Sequence, residues 1–162
     1  MKVLHFIHSL SGGGAETQLK ILCEYKLNTG DDQDFIFCIN GKCKSEILVD
    51  NIVLSRFNKK YDLRYIVDMY VAIKRLKPDV IHIWLPEIIS IPGLALGWMS
   101  KIPIVFSFRN EMRFHRFLSL VEWLMALLFA DTIVSNNDVK RSNIWYRWLY
   151  RAKKGIVIHN GV

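Results

Sequence analysis

Short apolar runs alternate along the whole chain with segments whose apolar residues recur at helical spacing. The main runs are continuous rather than alternating, which is typical of parallel strands that are buried on both faces. We therefore predict seven strands, at Lys2–Ile7, Asp34–Ile39, Ile52–Leu54, Val80–Trp84, Ile104–Phe108, Thr132–Ser135 and Gly155–His159.

Five helices are predicted between these strands. They are Ala15–Leu27, a segment capped by Asp62 and stopped by Pro78, Glu87–Met99, a stripe from Phe114 to Leu128, and Asn137–Arg151. The alternation implies right-handed βαβ units, so the fold class is α/β with a doubly wound, mostly parallel, Rossmann-like sheet. Ligands of such sheets bind outside the carboxyl ends of the strands, so a site is expected in the loops that follow the strands.

The chain has 162 residues, enough for one domain with a real core, and 51% of them are hydrophobic. Lysine and arginine outnumber aspartate and glutamate by 22 to 15, which gives a net charge of +7. This balance favours an anionic partner, which could be nucleic acid, an acidic membrane surface or a phosphorylated small molecule. The most apolar segment, Leu118–Ala130, is too short to span a bilayer and contains Glu122.

Three cysteines, Cys23, Cys38 and Cys43, cannot all pair within one chain. Reduced thiols of a cytosolic protein are the simplest interpretation. Cys38 and Cys43 lack nearby histidines, so we expect no zinc site and no other metal site.

A glycine-rich turn, Gly12-Gly13-Gly14, follows the first strand and precedes Glu16, whose carboxylate suits the first turn of a helix. The turn is not a P-loop, because no Gly-Lys-Ser/Thr follows it, and Thr17 stands where a dinucleotide fingerprint has its third glycine. Two interpretations remain open. The turn either connects strand to helix without a ligand, or lines a cleft with backbone N–H groups that accept a phosphate or another polar group.

Polar residues also follow the other strands, and these are the remaining candidate substrate contacts. Arg109 could clamp a phosphate or carboxylate with two hydrogen bonds, although a surface pair with Glu111 is the alternative. His82 lies within its strand and is predicted to be a hydrogen-bonded core histidine. The residues in the post-strand loops are His8, Trp84, Glu87, Arg109, Asn110, Glu111, Ser135 and Asn136.

The last predicted helix and its exit are basic and aromatic, with six basic residues and no acidic residue between Lys140 and Lys154. Such a segment suits an interfacial helix on anionic lipid. It would also suit nucleic acid, or form a solvated basic face with its aromatics packed inward. The candidate membrane-facing residues are Lys140, Arg147, Trp148, Arg151 and Lys154.

Three ordered stretches together resemble the N-terminal domain of a GT-B fold glycosyltransferase of the retaining family 4. The first is Gly12–Glu16, and the second is Lys77–His82 continuing to Lys101–Val105. The third is Ala130–Asn136, followed by Ile156–Val162 with its Asn-Gly-Val ending. Each stretch is weakly specific alone, but the ordered set covers essentially the whole chain.

The resemblance implies transfer of a sugar from a nucleotide-sugar to a lipid-linked or cell-envelope glycan acceptor, without a metal or other cofactor. Residues 1–162 would form the acceptor-side domain, with the glycine-rich loop near the donor phosphates and the donor-binding domain absent. The chain alone would then be inactive. We expect it in the cytoplasm, at the inner face of the cell membrane, with the Phe114–Phe129 helix and the basic segment towards the lipid.

Arg109 stands where many relatives have a histidine close to the reacting centre. Arginine stays protonated and cannot act as a general base, but it could stabilise developing negative charge. We therefore assign Arg109 the catalytic role as a hypothesis.

Three further interpretations remain. The chain could be a membrane-recruiting subunit of a split enzyme, with the donor domain on a partner chain. It could be a basic nucleic-acid-binding module, which is the least favoured because no nucleic-acid fold signature is present. It could also be a fragment with no function alone.

Overall fold

All seven predicted strands form a single parallel sheet in the computed structural model. The structure describes residues 1–11, 13–29, 33–40, 52–57, 62–108, 117–136 and 155–159. The strands are β1 (Lys2–Ser9), β2 (Gln33–Asn40), β3 (Ile52–Leu54), β4 (Val80–Ile83), β5 (Ile104–Phe108), β6 (Thr132–Ser135) and β7 (Gly155–Val157).

The sheet has the order β3-β2-β1-β4-β5-β6-β7, so the chain starts in the middle and builds outwards in both directions. β1 pairs with β2 on one side, with His5 opposite Ile36, and with β4 on the other, with His5 opposite His82. This order is that of a doubly wound Rossmann-like fold, so the predicted fold class is confirmed.

Helices cover both faces of the sheet. The described helices are α1 (Gly14–Thr29), α2 (Tyr65–Leu76), α3 (Ser90–Met99) and α4 (Phe117–Phe129). The predicted helix Asn137–Arg151 lies outside the described residues, as do residues 109–116 before α4.

Two apolar layers hold the helices to the sheet. On the α1 face, Leu19 and Cys23 of α1 pack with Ile7, Ile36 and Cys38 of the sheet. The opposite face, the α2–α4 face, carries the larger core, with contributions from α2, α3 and α4. Its largest fully buried side chains include Leu4, Phe6, Phe37, Met69, Ile81, Ile83, Ile89 and Phe106.

Helix α3 lies close to the sheet because two glycines face it. A Cβ atom built on Gly97 would lie 2.7 Å from Cδ1 of Ile104, and one on Gly93 would lie 3.1 Å from Cδ1 of Ile83. Both contacts are tighter than side chains normally make, so these glycines fix the distance between α3 and strands β4 and β5.

Some predicted boundaries are wrong by a few residues. Helix α3 begins at Ser90 rather than Glu87, which places Pro92 in the first turn, where its missing N–H costs nothing. Helix α2 has Arg64, not Asp62, at its N-cap position. Asp62 instead accepts the backbone N–H of Arg64 at 3.1 Å.

Cys23 and Cys38 are both buried thiols, and Cys43 lies outside the described residues. Burial raises the pKa of the Cys23 thiol to about 12, so that thiol stays protonated at neutral pH. In the part of the chain that the structure describes, no helix combines the length and the apolar character needed to span a bilayer.

Candidate functional site

The glycine-rich turn connects the end of β1 to the start of α1, and its two described glycines are exposed. The side-chain hydroxyl and the backbone N–H of Thr17 both donate to the carbonyl of Gly13, each at 3.0 Å. A Cβ atom on Gly13 would lie 2.5 Å from Oε2 of Glu16, so the Glu16 carboxylate covers this glycine. A Cβ atom on Gly14 would meet nothing within 4 Å. The space above Gly14 is therefore open to a ligand, while Gly12 lies outside the described residues.

Glu87 joins this turn from the loop after β4. Its carboxylate lies close enough to His8 and Glu16 for both residues to affect its pKa. Burial raises the pKa of Glu87 and the Glu16 charge raises it further, although His8 opposes both effects. Nδ1 of His8 is buried without a hydrogen-bond partner among the described residues. The turn thus combines an open glycine with a half-buried carboxyl group and a buried ring nitrogen.

A cleft of about 280 Å³ lies on the α1 face of the sheet, and its wall includes Gln18, four residues after Gly14 on the same helix. Gln18 and Leu22 of α1 form one wall, and residues from β4 to β7 and the loops after them form the floor. Those residues are His82, Trp84, Val105, Ser107, Phe108, Val134, Asn136 and Ile158.

His82 and Trp84 form the aromatic part of this cleft. Their ring centroids are 4.6 Å apart with an interplanar angle of 31°, and Nε2 of His82 lies 2.7 Å from Oγ of Ser107. His82 is hydrogen-bonded, as predicted, but it is only partly buried and faces the cleft rather than the core. A mainly apolar cleft with a few polar groups is typical of small-molecule sites.

The structure separates two candidates that are adjacent in sequence. Asn136 lines the cleft. Ser135 is buried, and the alternation of side chains along β6 places it with Ile133 on the α2–α4 face. Two of the predicted site residues therefore line the cleft, namely Trp84 and Asn136. Four others lie at the glycine turn, namely Gly13, Gly14, Glu16 and Glu87. Ser135 lies at neither place.

The remaining candidates lie outside the described residues. These are Arg109, Asn110, Glu111, Lys140, Arg147, Trp148, Arg151 and Lys154. Their assigned roles stay predictions.

Glu122 of α4 is a buried carboxyl group that was not among the candidates. Oγ of Ser90 lies 2.9 Å from Oε1 of Glu122 and 2.6 Å from the carbonyl oxygen of Glu87. Burial raises the pKa of Glu122 and the nearby charge of Glu87 raises it further, although the hydrogen bond from Ser90 opposes both effects. The signal in the sequence was a single acidic residue within an otherwise apolar helix.

One group among the described residues has the composition of a metal site. His5, Cys23 and Asp34 are all buried, and one potential ligand atom from each lies within 4.8 Å of the others. Lys26 also reaches this group, with Nζ 3.0 Å from Oδ1 of Asp34. The sequence did not reveal this cluster, because its members come from three separate elements.

Apolar side chains are exposed along α4 and at the end of α3. In α4 they recur every fourth residue, at Leu120, Leu124 and Leu128. Trp98 and Met99 of α3 are also exposed, and the Trp98 ring centroid lies 5.1 Å from that of Phe129. We call Trp98, Met99, Leu120, Leu124 and Leu128 the α3–α4 patch.

Solved structures share this fold. The chain superposes over 100% of its length on 46% of a structure titled lipopolysaccharide outer core galactosyltransferase WaaB, apo form, with a TM-score of 0.71 and 18% identity. It also covers 45% of the UDP-GlcNAc 2-epimerase from Neisseria meningitidis bound to UDP-GlcNAc, with 97% of the chain aligned, a TM-score of 0.67 and 13% identity. The third structure is the UDP-GlcNAc 2-epimerase from Methanocaldococcus jannaschii, on 45% of which 99% of the chain superposes, with a TM-score of 0.66 and 10% identity.

At these identities the likeness shows the fold alone, and the chain spans less than half the length of each of these structures. No curated protein sequence matches the chain significantly. The family model described as Glycosyltransferase Family 4, in contrast, matches residues 12–162. Its match begins in the glycine turn and includes every strand after β1, and the parallel sheet fits one half of a GT-B fold. The chain therefore belongs to Glycosyltransferase Family 4.

Proposed function

We propose that this chain is the acceptor-side domain of a retaining glycosyltransferase, which moves a sugar from a nucleotide-sugar to a lipid-linked or cell-envelope glycan. The observation that carries the proposal is the family match over residues 12–162. The chain also covers only 46% of the galactosyltransferase structure, which leaves room for a donor-binding half in a complete enzyme. Such a half would come from the same polypeptide or from a partner chain.

The glycine turn would receive the anionic part of the donor. A helix N-terminus presents unpaired N–H groups with partial positive charge, and the open space above Gly14 lets a phosphate approach the backbone.

The adjoining cleft would hold the acceptor. Its aromatic part, His82 and Trp84, suits the apolar face of a sugar ring, and Gln18 and Asn136 can hydrogen-bond to hydroxyl groups. Holding acceptor and donor in one geometry supplies much of the rate in a reaction between two bound substrates. Arg109 would stabilise charge that develops on the donor phosphate or the acceptor. The proposal includes no metal.

Gly14→Ala tests the role of the glycine turn. Because a Cβ atom at this position meets nothing within 4 Å, the variant should fold normally, with a melting temperature close to that of the wild type. The added methyl group would keep the backbone from a phosphate, so sugar transfer should fall at least about tenfold, as expected for an interaction of about 1.4 kcal/mol. Transfer would be measured in membranes from cells that express the protein in its complete form, with labelled nucleotide-sugars of uridine and guanosine diphosphate.

Glu24→Ala is the matched control, because Glu24 is an exposed residue on the same helix, about three turns from Gly14. This variant should transfer sugar at the wild-type rate. The proposal fails if membranes with the wild-type protein transfer no sugar above those without it, or if Gly14→Ala transfers sugar as fast as the wild type.

A further inference from the structure

A row of buried polar side chains crosses the apolar layer between α1 and the sheet. His5 of β1 is 1% exposed, and its Nδ1 lies 3.0 Å from the indole nitrogen of Trp84 at the cleft. On its other side, Nε2 of His5 lies 3.6 Å from Oδ1 of Asp34, which accepts a hydrogen bond from Nζ of Lys26. The row therefore runs from Lys26 through Asp34 and His5 to Trp84.

The contact with Trp84 determines which ring nitrogen of His5 carries the proton. An indole N–H can only donate, so Nδ1 of His5 must offer a lone pair to accept it. The proton of a neutral ring then lies on Nε2 and faces the Asp34 carboxylate. Burial lowers the pKa of His5 more strongly than Asp34 raises it, so the ring is neutral at physiological pH.

The same tautomer argues against a metal at His5, Cys23 and Asp34. A metal on Nε2 of a neutral imidazole requires the proton on Nδ1, where it would face the Trp84 N–H donor. Cys23 would also have to lose a proton, although burial raises its pKa to about 12. These three residues form a buried polar support rather than a ligand set.

We propose that His5 is a positioning residue for Trp84: its Nδ1 atom accepts the indole N–H and holds the indole ring against His82 as the aromatic part of the cleft. Asp34, held by Lys26, lies 3.6 Å from Nε2 of His5, beyond hydrogen-bond distance, and its charge favours the proton on that nitrogen. The proposal rests on the proposed function only in taking the cleft as the acceptor site, since the hydrogen bond itself can be tested without any substrate.

Two substitutions at His5 separate its ring nitrogens. In His5→Asn the side-chain oxygen lies near the position of Nδ1 and can still accept the indole N–H, whereas in His5→Gln the polar end extends towards the position of Nε2. The Trp84 indole N–H, assigned by its disappearance in Trp84→Phe, would be followed by hydrogen exchange in ¹⁵N-labelled protein. We expect exchange near the wild-type rate in His5→Asn, and about fivefold faster exchange in His5→Gln, the factor that corresponds to a hydrogen bond of about 1 kcal/mol.

The imidazole nitrogen shifts give a second readout, which remains if His5→Gln fails to fold. In the wild type His5 should be a single tautomer with Nε2 protonated. In Trp84→Phe the Nδ1 signal should move towards that of a ring nitrogen without a hydrogen-bond donor, while Asp34 still favours the proton on Nε2. A wild-type ring protonated on Nδ1, an unchanged Nδ1 signal in Trp84→Phe, or His5 shifts that move with one equivalent of Zn²⁺ would overturn the proposal. Equal exchange rates in His5→Asn and His5→Gln would do the same.

Sugar transfer then tests the link to the cleft. His5→Gln should lower transfer by the complete protein, and His5→Asn should restore most of it. Transfer that is equal in both variants would overturn the positioning role. If the wild type transfers no sugar, the proposed function fails, while the exchange rates and tautomers still decide how His5 holds Trp84.

Discussion

Asp68 of α2 is a buried carboxylate that ties the segment after β3 to the helix. It accepts hydrogen bonds from the backbone N–H of Arg56 at 2.8 Å, from the Arg56 guanidinium at 2.6 and 3.0 Å, and from the hydroxyl of Ser55 at 3.1 Å. Burial alone would raise the pKa of Asp68, but these hydrogen bonds outweigh it and lower the pKa. The stability that these hydrogen bonds contribute is fully present above the pKa of Asp68 in the unfolded chain. It is lost as the pH falls through the lower pKa of the folded protein.

Asp68→Ala should therefore lower the free energy of unfolding by about 3 kcal/mol at pH 7, because it leaves several donors without their acceptor. Urea denaturation at pH 7 measures this change in the free energy of unfolding. In acid the Asp68 carboxylate becomes protonated, so the unfolding free energies of variant and wild type should become more similar.

Glu24→Ala is the control, because Glu24 forms an ion pair with Lys20 at 3.7 Å in which the two side chains are 46% and 30% exposed. Water and salt screen such a pair, so its loss should change the unfolding free energy little. Equal effects of the two substitutions would contradict the role given to Asp68.

Single residues were predictable from the sequence where local pattern alone decides their place. Gly14 and Glu87 follow strands and were expected at the site for that reason, and the structure places both at the glycine turn. The contact between His5 and Trp84 was not predictable, because the two residues are 79 positions apart and meet only through the pairing of β1 with β4. The position of Ser135 depends on the alternation of side chains along β6, so proximity in sequence to Asn136 was misleading.

Helices α3 and α4 are joined by a polar contact inside their apolar interface. Oγ of Ser90 has one proton and two neighbours, and the closer one, the carbonyl of Glu87, can only accept. Because the single hydroxyl proton is shared between two acceptors, Ser90 only partly offsets the burial of Glu122, whose pKa is raised. This interaction between two elements is expected to depend on pH.

Glu122→Gln should stabilise the protein at pH 8, because the amide can donate to Ser90 and carries no charge. A carboxyl group with a raised pKa binds its proton more tightly when folded, so wild-type stability should fall as the pH rises above the ordinary value of 4.5. Thermal melts between pH 5 and pH 8 should show a smaller fall for Glu122→Gln. Part of the fall will remain, since the pKa of Glu87 is raised too.

Glu24→Gln, on the exposed side of α1, should melt as the wild type does at every pH. A fall in stability that is as steep for Glu122→Gln as for the wild type would contradict the raised pKa of Glu122.

Element types followed from hydrophobic periodicity, but element ends did not. The segment 87–89 continues the apolar pattern of α3, yet the helix begins at Ser90, because Pro92 lacks an N–H and is accepted only in the first turn. Strand β7 ends at Val157, two residues before its predicted end at His159. Hydrogen bonding to neighbouring elements decides such ends, and the apolar pattern does not encode it.

The whole molecule combines a net charge of +7 with the exposed α3–α4 patch. We propose that this patch rests on the cytoplasmic face of the membrane, with basic side chains drawn to anionic lipid. Leu120, Leu124 and Leu128 recur every fourth residue, as expected for one face of a helix lying in the interface.

Co-sedimentation with anionic phosphatidylglycerol-containing vesicles tests this orientation. The wild type should bind, and binding should weaken at high salt. The double substitution of Leu124 and Leu128 by Asp should weaken binding at least about tenfold, since burying one leucine contributes about 1.5–3 kcal/mol. Leu54→Asp, an exposed leucine on β3 far across the sheet, should bind as the wild type does. If the double variant binds vesicles as strongly as the wild type, the α3–α4 patch does not contact the membrane.

At the scale of the fold, the sequence sufficed to predict a parallel doubly wound sheet, because seven apolar runs separated by helical segments have few other arrangements. The cleft on the α1 face was not predicted. It exists because α1 packs on the β1–β2 half of the sheet, so Gln18 and Leu22 stand beside the floor formed by β4 to β7. That shape depends on the packing of elements, which periodicity along the chain does not describe.

The central position of β1 has a consequence for biosynthesis. The backbone N–H of Lys2 donates to the side chain of Asp79 at 2.7 Å, and β1 pairs with β4 only when Val80–Ile83 has been made. At about 5–20 residues per second, the ribosome therefore leaves one edge of the first strand without its partner for several seconds. A nascent chain in this state exposes a β-strand edge and apolar faces, which are features that chaperones bind, in the interval before residue 83 emerges.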